Sequence, residues 1–150
     1  DKIKRYFDLL YTRGTLQGVV NRAKHIKILF PERVVELDLE SKWGKMKKVV
    51  RGKYHSASIL SELDGIAGIK ILYPDRIDEI DLNKNWEEIK MACQEFLKKG
   101  NWAADTIYAN LKIIAAKEIK ITDQGLELVM ENEEDFKDRV PVRPERLKCE

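Results

Sequence analysis

An eighteen-residue stretch occurs twice in this chain: residues 26–43 read IKILFPERVVELDLESKW and residues 69–86 read IKILYPDRIDEIDLNKNW. Ten of the eighteen positions are identical, where unrelated segments would share about one. Four more pairs are close in kind: Phe30/Tyr73, Glu32/Asp75, Val34/Ile77 and Leu37/Ile80. The copies are offset by 43 residues. A unit repeated at that spacing buries its apolar face against its neighbour, so the chain is expected to fold by stacking like units.

Each copy is divided by its proline. Ahead of the first, Leu16, Val19, Val20, Ala23, Ile26 and Leu29 keep the three-and-four spacing of an amphipathic helix. Pro31 has no N–H to continue the ladder and disfavours helical geometry at Phe30, so it ends that helix and starts a short turn. Asp38, Glu40 and Ser41 then offer capping side chains to a helix predicted to begin near Trp43, with Met46, Val49 and Val50 on its apolar side and Gly52 at its end. In the second copy Ser56 is the expected cap of a helix carrying Ile59, Leu60, Leu63, Ile66 and Leu72. Pro74 ends it, and Trp86 starts the next, with Ile89, Cys93, Phe96 and Leu97. Gly65 and Gly68 inside the fourth helix each cost up to ~1 kcal/mol relative to Ala, which marks a place where helices approach closely.

Before the first copy, Ile3, Tyr6, Phe7 and Leu10 predict a helix that stops near Gly14, with Thr15 capping the one that follows. After the second, Gly100 and Asn101 give a stop and a start, and a sixth helix is expected from Trp102 to residue 117. Within it Leu111-Lys112-Ile113-Ile114 is a third, partial copy, in which Ala115-Ala116 replace the aromatic residue and the proline. The period then changes to two: Ile119 and Ile121, a turn at Asp123-Gln124-Gly125, then Leu126, Leu128 and Met130 predict a β-hairpin over 118–130. Residues 131–138 suggest a short acidic helix, and 139–150, with Pro141 and Pro144, an extended tail or linker.

The expected fold is therefore mostly α: helical-hairpin repeats in an α-solenoid-like stack, ending in a short β-hairpin cap. The domain is drawn over 1–138, with units of about 1–40, 41–82 and 83–125, and a tail over 139–150. Its period is similar to that of HEAT and armadillo repeats in length alone. A chain of 150 residues is long enough for a sizeable core.

Charge narrows the function classes. The chain is 36% charged, but 28 basic residues stand against 26 acidic ones, and a net charge of +2 recommends neither nucleic acid nor an acidic membrane as the obvious partner. No apolar run reaches the length of a membrane span, and the N-terminus lacks the basic-then-apolar layout of a signal peptide. Cys93 and Cys149 fit neither a disulfide framework nor a metal-ligand spacing, so a reducing, cytoplasmic setting is expected. The absence of an initiating Met suggests a processed chain or a segment of a larger one.

Three aligned lysines, Lys27, Lys70 and Lys112, recur at one place in successive units and would form a ladder of cations on one face, a candidate contact for an acidic partner or a phosphate backbone. The plainer account is that an amphipathic helix needs a polar residue there and duplication copied it. Trp102 is either a packing residue or an exposed interface anchor. Trp43 and Trp86 are read as packing anchors, Cys93 as a core residue in the place of Val50, and Arg33 and Arg76 as partners of nearby carboxylates. The linker acids Glu36, Asp38, Glu40, Asp78, Glu79 and Asp81 match no calcium loop, and His25 and His55 lack metal or nucleophile partners. No phosphate-binding glycine loop or nucleophile elbow is present. The expectation is a non-enzymatic interaction or scaffold module that binds another protein, with no catalytic, cofactor or metal site. The alternative is nucleic-acid binding through the lysine face and residues 45–53, with the hairpin as a wing.

Overall fold

The computed structural model describes residues 2–100 and 102–130. Among these the chain is mostly helical, with six α-helices followed by a two-stranded antiparallel hairpin. The expected elements over 131–138 and 139–150 lie outside the described residues.

Helix α1 (Lys2–Arg13) is closed by the Gly14 amide, which donates to the Leu10 carbonyl at 2.6 Å. Thr15 then caps α2 (Leu16–Leu29), its Oγ1 accepting from the Gly18 amide at 3.1 Å. The two copies of the repeat end their first helices alike. The Phe30 amide donates to the Ile26 carbonyl at 2.7 Å and the Tyr73 amide to the Ile69 carbonyl at 2.8 Å, after which the proline stops the ladder.

Beyond Pro31 the chain winds as a 3-10 helix (Pro31–Leu37), and α3 (Leu39–Met46) starts earlier than the sequence suggests, leaving Trp43 in mid-helix. The reason lies at Asp38. It takes the left-handed conformation at φ 50°, which turns the chain from one helix into the next within a single residue, and Ser41 Oγ donates to its carboxylate at 2.7 Å. A 3-10 turn (Lys47–Val49) ends the segment, so Val49 and Val50 are only half-buried. Ser56 does not cap α4 (Ile59–Leu72). A 3-10 turn (Ser56–Ser58) precedes that helix, and Glu62 gathers its entrance, accepting from the His55 amide at 3.2 Å and from Ser58 Oγ at 3.0 Å.

Helix α5 (Trp86–Lys98) begins on Trp86 as expected, and α6 (Ala104–Ala115) has Ala103 at its cap position; Asn101 lies outside the described residues. The hairpin pairs β1 (Glu118–Thr122) with β2 (Gly125–Val129), from Glu118 opposite Val129 to Thr122 opposite Gly125. Gly125 takes φ 109°, a conformation open to glycine and strained for other residues.

Helix α4 lies between α2 and α6 and belongs to both apolar clusters of the core. Ile59, Leu63 and Ile66 face α5 and α6, while Ile69 and Leu72 join Phe7, Val19, Val20, Leu37, Trp43 and Met46. From Gly65 to Ile69 every residue of this helix is buried, as suits a segment covered on all sides. Close approach to α2 is made at Gly68, where a Cβ would stand 2.7 Å from Val20 Cγ1. Cys93 is fully buried in the cluster with α6, and burial pushes its thiol up to about 12, as expected of a core sulfur. Among the described residues no helix is long and apolar enough to cross a membrane.

Candidate interaction surface

The three aligned lysines have different fates. Lys27, in the last turn of α2, donates from Nζ to the Ile71 carbonyl in the last turn of α4, at 2.6 Å. Lys70, in the last turn of α4, does the same to the Ile114 carbonyl in the last turn of α6, also at 2.6 Å, and adds a bond to the Ala116 carbonyl. Each lysine therefore reaches 44 residues ahead and covers carbonyls that a helix end leaves without intrahelical donors, where the macrodipole also favours a cation. Burial lowers the pKa of both amines, that of Lys70 to about 8, against the opposing pull of Asp78; Asp75 opposes the fall at Lys27. Lys112 is exposed, and among the described residues no helix follows α6 for it to cap.

The tryptophans divide in the same way. Trp43 is 5% exposed; its ring lies 4.7 Å from that of Tyr73, and its Nε1 donates to Glu79 at 3.1 Å. Tyr73 in turn donates its hydroxyl to the Leu39 carbonyl at 2.7 Å. The Arg76 guanidinium lies 5.8 Å from the Trp43 ring, held by Glu40 at 3.1 Å and Glu79 at 3.0 Å. Thus the Tyr73-Pro74-Asp75-Arg76 stretch that opens the second linker covers the tryptophan of the first. Arg33, with no tryptophan before it, pairs with Glu36 at 2.8 Å, and Phe30, the counterpart of Tyr73, is 45% exposed. Trp102 meets Phe96 edge-on at 5.7 Å but is otherwise 78% exposed, just ahead of α6.

Thr106, Ala109 and Lys112 are exposed at helical spacing on α6, and Trp102 is exposed in the turn before it. Trp102 and Lys112 are both exposed, while Lys27 and Lys70 are committed to carbonyls inside the molecule. Two features are not evident in the sequence reading. One is an apolar cleft of about 300 Å³ between α1 and α2, bordered by Ile3, Tyr6, Leu29 and Phe30. The other is a groove of about 770 Å³ beside Trp86, between the second linker and the start of the hairpin. The alignment carries a signal for both: Phe30 and Tyr73 hold one place in the two copies, and Ala115-Ala116 stand where the second copy has Tyr73-Pro74. Among the described residues no group of three or more His, Cys, Asp or Glu side chains is placed to hold a metal ion.

No protein family matches the chain, and no curated protein or solved structure is significantly similar to it.

Proposed function

We propose that the chain is a helical-repeat interaction module, its units stacked in the manner of an α-solenoid, that binds another protein without catalysing a reaction. The observation that carries this reading is the lysine join made twice at the same 44-residue reach. It spends the repeated residues on holding successive units together, and the side chains left over at the last unit, Trp102 and Lys112, are an exposed aromatic and an exposed cation of the kind that anchor interfaces.

A photo-crosslinking amino acid in place of Trp102 tests it. We expect a discrete adduct whose purified partner binds the native chain and binds the W102A and K112E variants at least tenfold more weakly, a loss of about 1.4 kcal/mol or more. Equal binding by all three proteins would remove α6 as the site.

A second reading, nucleic-acid binding, is favoured by one observation: Lys47, Lys48, Arg51 and Lys53 are all exposed along one stretch. It requires affinity that falls steeply with salt, so a titration against single- and double-stranded oligonucleotides at two salt concentrations separates it from the first.

A further inference from the structure

Helices α2 and α4 run side by side in the same direction. Gln17, in the first turn of α2, donates from Nε2 to the Ser61 carbonyl in the first turn of α4 at 3.1 Å, and Lys27 and Ile71 join the other ends of the same two helices. Beside the two starts passes the segment that follows α3, and a pocket of about 390 Å³ lies between them. Pockets of this volume hold small organic ligands. Lys48 and Arg51 line it from the segment after α3; Thr15, Ser58 and Ser61 bring hydroxyl groups and Gln17 a carboxamide.

Most of this lining is already ordered by the protein. Gln17 is held on the Ser61 carbonyl, Thr15 Oγ1 accepts from the Gly18 amide, and Ser58 Oγ donates to Glu62 at 3.0 Å. The two cations are the exception. Both are exposed, and among the described residues neither Lys48 nor Arg51 has a hydrogen-bond or ion-pair partner.

The repeat supplies a comparison. At the 43-residue offset that aligns Trp43 with Trp86, Lys48 corresponds to Met91, Arg51 to Gln94, Gln17 to Leu60 and Ser61 to Ala104. The apolar positions of the lining are kept in kind, Leu16 as Ile59 and Val49 as Ala92. The second unit therefore folds without either cation. Packing accounts for Leu16 and Val49 and leaves Lys48 and Arg51 to be explained by something they bind.

The chemistry of the lining narrows the ligand. An amine and a guanidinium at one wall hold a phosphoryl group through charge-assisted hydrogen bonds. They stand against one acid, Glu62, so the balance suits a single phosphoryl group and not a polyphosphate. Among the described residues no aromatic side chain lines the pocket, and a nucleobase has nothing to stack on. Hydroxyl and amide groups match the hydroxyls of a polyol instead.

We propose that this pocket binds a small phosphorylated polyol, with Lys48 and Arg51 on its phosphoryl group and Gln17, Ser58 and Ser61 on its hydroxyl groups. The site is separate from α6 and stands whether or not α6 binds a partner.

The test titrates the isotope-labelled full chain with glucose 6-phosphate, ribose 5-phosphate and glycerol 3-phosphate, and with glucose and inorganic phosphate as controls. We expect at least one of the three esters to give saturable shifts at the amides of Gln17, Gly18 and 48–52, with a dissociation constant at least tenfold below that of inorganic phosphate, and glucose to give none. K48M and R51Q, which install the residues of the second unit, should each weaken that ester at least fivefold while the melting temperature stays within about 2 °C. K47Q and K53Q, which remove exposed charges outside the lining, should change it less than twofold. No saturable shift with any ester up to about 20 mM, equal affinity for inorganic phosphate, or equal weakening by all four variants overturns the proposal. A phosphoserine peptide or a single-stranded oligonucleotide that displaces the ester and binds at least tenfold more tightly assigns the two cations to a macromolecule, and also overturns it.

Discussion

Lys70 shows what a repeated residue is for. It is half-buried and its amine ends on two carbonyls, so desolvation opposes the charge and lowers its pKa to about 8. The unfolded chain holds that proton up to the ordinary lysine value near 10.5. Between those two pH values the unfolded state binds more protons than the folded one, so this residue makes the fold more stable as pH rises from about 8 toward 10.5, and its contribution is constant below and above that window. We expect the melting temperature of the native chain to gain on that of K70M as pH is raised from 8 to 10. A constant difference across that range would show that Lys70 titrates as it does in the unfolded chain. Identity between repeats can be read directly from the sequence, but its purpose cannot. A lysine at a fixed place in each unit looks the same whether it faces solvent or the end of the next helix, and only the distance to Ile71 and Ile114 separates the two.

Among the elements, α4 is the one that the others require. It touches α2 through Gly68, and the methyl group of an alanine there would press on Val20, a stiff β-branched side chain that is 1% exposed. Helix propensity favours G68A by up to ~1 kcal/mol, but overpacking a core costs about 1–3 kcal/mol, so the clash wins. We expect G68A to lower stability in urea unfolding, and V20A added to G68A to recover part of the loss; additive losses in the double variant would locate the strain elsewhere. The prolines and the start of α5 are legible in the sequence because a missing N–H acts locally. The 3-10 segment at Pro31–Leu37 and the early start of α3 are not, since they depend on Asp38 adopting a left-handed conformation that its residue type permits but does not announce. The same holds at the entrance to α4. Ser56 has the residue type of a cap, but it is Glu62, within the helix, that accepts from the His55 amide and from Ser58 Oγ.

At the scale of the molecule, two apolar clusters meet at α4, and the chain differs most from its own pattern at the far end, where the hairpin expected from the change of period follows α6. The surfaces available for binding follow from that break. Among the described residues no helix follows α6 for Lys112 to cap, Trp102 is 78% exposed, and Trp86 borders a groove. The sequence reveals the break, because Ala115-Ala116 are visibly not Tyr-Pro, but it does not reveal the volume that the break opens. The proposed stacking of units depends on the repeated lysines being joints. Urea unfolding of K27M, K70M and K112M at pH 7 tests this directly. We expect the first two substitutions to cost about 1–3 kcal/mol each, the loss that attends leaving buried carbonyls without donors, and K112M to stay within about 0.5 kcal/mol of the native chain. Equal losses at all three positions, or none at Lys27 and Lys70, would contradict it.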